Sequence, residues 1–352
     1  MSFPFVQPYF GLGNSLQTAQ AGGAGGPAAG GWVELARTTN GGTSTTIDVS
    51  SLADKRYYMI LNSYVGARDN FLRFNADSGS NYAYRLQVDG ALGSHVNQDK
   101  IEINGAASGT GARLSVGYVA NLSTKEKLIQ SWTVKQQAAG AGTAPNRAES
   151  VGKHVQTSNP IDQMTIVNTG STFPAGAELV VLGWDPTDTH TTNFWEELAS
   201  VENSGVTDNL SSGTFTAKKY LWVQFYLKPS GNNTQRLLTF NNDTGSNYSR
   251  RNSNAGGAES TSTSQANINL ADSSGAEYGF YNMFIINNSS NEKLGILHSN
   301  VALATGAAAA PWRQEYAFKW TNTSSQITEI DLTNAGAGVD YSISGMKVWG
   351  SD

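Results

Sequence analysis

Apolar residues along this chain recur with a period of two and never hold a helical period of 3.6 for three turns. Gln163-Met-Thr-Ile-Val167 alternates, and so does Gln326-Ile-Thr-Glu-Ile-Asp-Leu332. Successive side chains of a strand point to opposite faces, so alternation predicts strands with one face buried. Richer β-forming runs lie at Tyr57-Tyr-Met-Ile-Leu61, Tyr220-Leu-Trp-Val-Gln-Phe-Tyr226, Leu114-Ser-Val-Gly-Tyr-Val119 and Tyr278–Ile286. Closing strands are expected at Glu178–Leu182 and Tyr341–Trp349. Strand signals of this kind return every ten to fifteen residues. Strands without helices can bury their faces only by packing sheet on sheet. The expected fold class is therefore all-β, with jelly-roll-like sandwiches of eight or so strands each.

The pattern occurs twice. Phe74-Asn-Ala-Asp-Ser-Gly-Ser-Asn-Tyr82 returns as Phe240-Asn-Asn-Asp-Thr-Gly-Ser-Asn-Tyr248, 166 residues later. The same shift carries Arg85 to Arg251, Glu126-Lys-Leu128 to Glu292-Lys-Leu294, and Ala144-Pro145 to Ala310-Pro311. It also carries Arg147 to Arg313, Glu149 to Glu315, and Lys153 to Lys319. Upstream, Trp32-Val-Glu-Leu-Ala36 meets Trp195-Glu-Glu-Leu-Ala199 at a shift of 163. One register held this far marks an internal duplication, and its unit is too long for a solenoid repeat. The chain divides into an arm with its linker (1–31), a first sandwich (32–187) and a second (188–352).

Composition sharpens this picture. Only 14% of the 352 residues are charged, and Gly, Ser, Thr, Asn and Ala take their place, which suits short strands and tight turns. A net charge of −5 argues against nucleic acid and anionic membranes as partners, since both require dense Lys/Arg. With no cysteine there are neither disulfides nor thiolate metal sites. No apolar run approaches the length needed to cross a bilayer as a helix.

Residues 1–31 break the β pattern. Phe3, Phe5, Val6, Tyr9 and Phe10 form an apolar cluster, followed by a Gly/Ala-rich spacer from Ala19 to Gly31. Pro4 and Pro8 interrupt the cluster and no basic start precedes it, so a Sec signal is not expected. A spacer of this composition behaves as a flexible tether, and aromatic residues at its end are costly to leave in water. The expectation is an anchor that docks on a neighbouring subunit, set against a leader without contacts.

Candidate chemistry is sparse. The twin stretches Asn75-x-Asp77-x-Gly79-Ser-Asn81 and Asn241-x-Asp243-x-Gly245-Ser-Asn247 are rich in oxygen. Such a stretch can hold Ca²⁺, the one candidate cofactor; the favoured reading is a hairpin turn with its glycine at positive φ. Glu329-Ile-Asp331 resembles an acidic glycosidase strand. The first repeat, however, places Gln163 and Thr165 there, and the second lacks the further carboxylate that such chemistry needs. The four histidines have no metal-ligand spacing, and no nucleophile elbow or phosphate loop occurs, so no enzyme is expected. Arg147 with Glu149, and Arg313 with Glu315, read as loop ion pairs, within the chain or between subunits. Trp222, Trp312 and Trp320 are the aromatics on which a sugar ring could stack. Met59, Asn146 and His154 at the matching positions count against a shared glycan site, and Trp222 reads as core.

The repeated Phe-Asn-x-Asp-x-Gly-Ser-Asn-Tyr-x-x-Arg segment, the Asn-Glu-Lys-Leu loop, Ala-Pro-x-Arg-x-Glu and the ending Glu178-Leu-Val-Val-Leu-Gly-Trp-Asp185 resemble structural proteins of marine tailed bacteriophages. There, duplicated units follow a short Pro/aromatic N-terminal segment. The resemblance implies a non-enzymatic virion component on the particle surface, such as a capsid decoration or cement protein or a tail-fibre-like appendage. Its implied partners are other virion proteins and further copies of itself as a homo-oligomer. A lectin-like module for attachment to host glycans is the alternative from another class.

Overall fold

The computed structural model describes residues 31–66, 69–105, 111–189, 192–231, 236–270, 278–302, 304–334 and 340–352. The aromatic cluster at Phe3–Phe10 lies outside them. Every element among the described residues is a strand, in agreement with the all-β expectation.

The first repeat builds two antiparallel sheets from twelve strands. The larger is ordered β1 (Val33–Thr39), β12 (Glu178–Trp184), β3 (Tyr57–Val65), β8 (Ala112–Ala120), β9 (Lys127–Lys135), β10 (Asn146–His154), β5 (Tyr82–Val88) and β6 (Ala91–Gln98). The smaller is ordered β2 (Thr46–Ser50), β11 (Gln163–Asn168), β4 (Asn70–Phe74) and β7 (Ile101–Glu102). The second repeat follows the same order strand for strand. Its larger sheet is β13 (Glu196–Asn203), β24 (Tyr341–Ser351), β15 (Tyr220–Pro229), β20 (Gly279–Ile286), β21 (Lys293–Val301), β22 (Trp312–Trp320), β17 (Tyr248–Asn254) and β18 (Ser260–Gln265). Its smaller sheet is β14 (Asn209–Ser211), β23 (Ile330–Thr333), β16 (Arg236–Phe240) and β19 (Ile268–Leu270). The duplication read from the sequence is thus a duplication of topology. The count per unit is twelve rather than eight or so, because short polar strands such as β6 and β18 carry little apolar pattern.

Each repeat buries one core between its two sheets. In the first, Ile47, Leu72, Phe74 and Ile166 of the small sheet meet Ile60, Val119, Leu179 and Val181 of the large one. In the second, Leu210, Leu238, Phe240 and Leu332 meet Val223, Phe225, Met283 and Val348. A third core lies between the two large sheets, where Leu61, Leu114, Val116, Val134 and Val180 pack with Tyr220, Trp222, Phe284, Ile286, Leu294 and Ile296. The chain is therefore four layers deep, with the large sheets inside. This explains why β3 and β15 read as continuous apolar runs: both of their faces are covered. Close approach within a layer is visible at Gly295, where a Cβ would lie 2.0 Å from the Phe318 ring.

Candidate functional site

The most elaborate local chemistry falls into two places: the repeated aspartate turns and the seam between the two large sheets.

In the first turn, between β4 and β5, Asp77 Oδ1 accepts the Gly79 N–H at 2.8 Å, and Asp77 Oδ2 accepts from Asn81 Nδ2 at 2.9 Å. His154 Nε2 lies 2.8 Å from the same Oδ2. In the second turn, Asp243 Oδ1 accepts Gly245 N–H at 2.8 Å, and its Oδ2 takes Asn247 Nδ2 at 2.9 Å and Trp320 Nε1 at 2.6 Å. Partial burial alone would raise both carboxyls, but these donors hold each below the usual carboxylate range. Positive φ falls on Asn75 and Ala76 (both 53°) and on Asn241 and Asn242 (52° and 55°), not on the glycines as the sequence suggested. Gly79 is required for space instead, since a Cβ there would come within 2.8 Å of Asn81 Nδ2. Asn75 staples the turn to the segment before β11: its Nδ2 donates to Pro160 O and its Oδ1 accepts from Asp162 and Gln163 N–H. Asn241 does the same with Gln326, Thr328 and Glu329. With both oxygens of each aspartate bound to N–H donors, the arrangement is that of a turn, and no cluster of three or more metal-ligating acids or histidines occurs among the described residues.

The seam carries the buried charges. Arg147 is 3% exposed and bonds Glu315 Oε2 at 3.0 Å and Glu259 Oε1 at 2.7 Å across the repeats, with Glu149 Oε1 at 2.8 Å on its own strand. Arg147 and Glu149 lie on β10 and Glu315 on β22, not in the loop inferred from Ala-Pro, while Glu259 directly precedes β18; only the first arginine is enclosed, since Arg313 is 64% exposed. Glu149 also meets His298 at 3.3 Å, and these contacts overcome its burial and lower its carboxyl. Trp132 and His298, equivalent positions of the two repeats, stand 4.8 Å apart between ring centroids.

At the far side of the seam, Glu178 Oε1 accepts from Lys219 Nζ at 2.8 Å and Tyr220 Oη at 2.9 Å, and Ser63 Oγ lies 2.9 Å from that hydroxyl. Burial tends to raise Glu178, but Lys219 and Tyr220 outweigh it and hold the carboxyl down. Lys319 is wholly buried; it donates to Ala138 and Gly140 carbonyls of the first repeat and pairs with Glu292 at 3.2 Å. Its duplicate pair, Lys153 and Glu126, stands 44% and 41% exposed. The sequence signal for this seam was present in Arg147-x-Glu149 and Arg313-x-Glu315, but only the fold shows that one arginine crosses to the other repeat.

The proposed sugar-stacking residues fare differently. Trp320 is 1% exposed, held by Asp243 and packed on Phe240, which corrects its reading as a glycan contact. Trp222 is 4% exposed, inside the third core as expected, and Trp312 is half-buried. Asp331 is also buried, and burial raises its carboxyl.

No protein-family model and no curated relative matches the sequence. Among solved structures, a two-domain fragment of Extended-Synaptotagmin 2 aligns at 8% identity over 78% of this chain and 94% of its own, with a TM-score of 0.12. The capsid of a T=3 Penaeus vannamei nodavirus aligns at 11% identity over 100% of this chain and 97% of its own, also at 0.12. A Pseudomonas aeruginosa FadL homologue aligns at 10% over 85% and 91%, at 0.08. At such TM-scores none of these likenesses bears on function.

Proposed function

We propose that the chain is a non-enzymatic structural subunit of a virus particle, set at the particle surface as a decoration or cement protein or an appendage. The observation that carries this reading is the fusion of two complete sandwiches through a third, shared core. Such a joint spends apolar surface and buried ion pairs on holding two scaffolds in one block, which suits a load-carrying subunit. The two copies keep the same turns and strands while differing where a shared catalytic or sugar site would sit. The resemblance to tailed-phage structural proteins points the same way. In this reading, Phe3, Phe5, Val6, Tyr9 and Phe10 form the contact that ties the block to neighbouring virion proteins or further copies.

Immunogold labelling with antibody against residues 32–352, on particles purified from the source material, tests it. Label on the particle surface supports the reading, and label confined to the particle-free fraction overturns it. The glycan-binding alternative is left with Trp312 as its only surface tryptophan of the three considered.

A further inference from the structure

The third core uses the two duplicated faces unequally. On the second repeat, Tyr220, Phe284, Leu294 and Ala317 are all covered, between 0% and 3% exposed. Their counterparts on the first repeat are Tyr57, Tyr118, Leu128 and Val151. Leu128 and Val151 stand 55% and 54% exposed, and the two tyrosines are half-buried. These four residues, with Gln130, line a cavity of about 370 Å³ whose walls are almost wholly apolar. A surface with the composition of a buried interface is thus left open on one repeat and closed on the other. A concave surface lined this way can accept apolar side chains.

What closes it on the second repeat is instructive. The face of the first repeat covers it, and next to it Phe194 stacks edge-on against Trp195 at 5.0 Å, both within the third core. Trp195 in turn lies 6.2 Å from Phe284. The first repeat reproduces that geometry, with Trp32 6.0 Å from Tyr118 and 6.4 Å from Trp184, which stacks on Tyr57 at 5.3 Å. Trp32 is the point at which the N-terminal arm joins the fold in sequence, and its ring lies 6.0 Å from that of Tyr118, one of the residues lining the cavity. A coil of the length between Phe10 and Trp32 would have a root-mean-square reach of roughly 25 Å, enough for the aromatic cluster to reach the groove. Tethering also favours the chain's own arm over any free competitor, by an effective concentration in the millimolar range.

We propose that the Tyr57–Tyr118–Leu128–Val151 groove is the seat of the chain's own N-terminal arm, which docks part of its Phe3–Phe10 apolar cluster there in the isolated subunit. The groove then stores the segment that the assembly reading assigns to neighbouring subunits, and keeps its aromatics out of water until they are used.

Two measurements on the full chain test this. Leu128→Asp with Val151→Asp places two charges on already exposed positions, so the fold is retained, which circular dichroism checks. Chymotryptic cleavage at residues 3–10 should then run about tenfold faster than in the unaltered chain, because proteolysis follows the population of the released segment. Equal rates overturn the proposal. Second, a benzoylphenylalanine in place of Phe5, irradiated in dilute solution, should cross-link to residues 57–58, 118–130 or 151–152 within one chain. Cross-links elsewhere, or only between chains, overturn it. Neither result depends on whether particles carry the protein, so the surface-label experiment fails or succeeds separately.

Discussion

His154 Nε2 rests 2.8 Å from Asp77 Oδ2, and in the other repeat the indole N–H of Trp320 occupies the same slot against Asp243. An imidazole and an indole share little but an N–H at the end of a flat ring, so what the duplication kept is the donor. Asp243 is partly buried and keeps its bonds from Gly245 and Asn247, so losing this one donor costs about 1 kcal/mol. Trp320→Phe should therefore destabilise by more than its small loss of packing, and Trp320→Phe combined with Asp243→Ala should cost clearly less than the sum of the single changes. Urea unfolding of the four variants measures the coupling, and strict additivity would sink the argument.

Both aspartates are held below the usual carboxylate range. A group whose folded value is depressed adds stability above its unfolded value, near pH 4, and loses it as the pH falls through the folded value. The urea midpoint should decline below about pH 4, and Asp77→Asn with Asp243→Asn should flatten that part of the profile. A profile unchanged in the double variant would refute the assignment.

The same donors bear on calcium. A Ca²⁺ site needs six to eight oxygen ligands, whereas here both oxygens of each aspartate accept from Gly N–H, Asn amide and ring N–H groups. Adding calcium or a chelator should leave the thermal midpoint where it is. A reproducible calcium-dependent rise that Asp77→Asn abolishes would show that these turns rearrange to chelate.

Arg147 and Arg313 occupy one position of the repeat and should behave as opposites. Removing Arg147 leaves Glu259 and Glu315, each 5% exposed, short of their shared partner across the seam. Breaking a buried pair from one side costs about 3–5 kcal/mol, while Arg313 is itself solvated and Glu315 keeps Arg147 when it is removed, so its pair contributes about 1 kcal/mol. Arg147→Ala should lower the unfolding free energy severalfold more than Arg313→Ala. Similar effects from the two variants would mean that the seam does not depend on this cluster.

Why this asymmetry escaped the sequence is physical. Period-two alternation made the strands near Gln163–Val167 and Gln326–Leu332 legible, β-rich runs marked six more, and the repeated motifs gave the register of the duplication. Polar edge strands such as β6, where His95 and Gln98 pair with Tyr84 and Tyr82, have no apolar stripe and were invisible. The continuous runs at Tyr57–Leu61 and Tyr220–Tyr226 read only as strongly β-forming, and a run cannot name what covers a second face. Trp320 went wrong for a related reason. A tryptophan near a strand end looks free to stack a sugar until the turn supplying Asp243 is placed against it.

Lysines offer the last contrast, because the buried Lys135 and Lys293 are held by carbonyl oxygens. Lys293 Nζ donates to Asn291 and Asn322 carbonyls, and Lys135 Nζ to Gly105 O, all within 2.9 Å. Burial pulls both ammonium groups down to about 8, with Arg113 adding to the effect at Lys135. The unfolded chain keeps these protons to about pH 10.4, so between pH 8 and 10 it binds more of them than the folded chain does. Stability must then rise with pH across that window, by an amount on the order of 1–3 kcal/mol, before tyrosines pushed up to about 12, such as Tyr58 and Tyr281, reverse the slope. Urea midpoints taken between pH 7.5 and 10 should climb, and Lys135→Met with Lys293→Met should remove the climb even if each substitution costs some stability through its orphaned carbonyl. A midpoint that is flat or falling in the unaltered chain would show that these ammonium groups are better solvated than their burial implies.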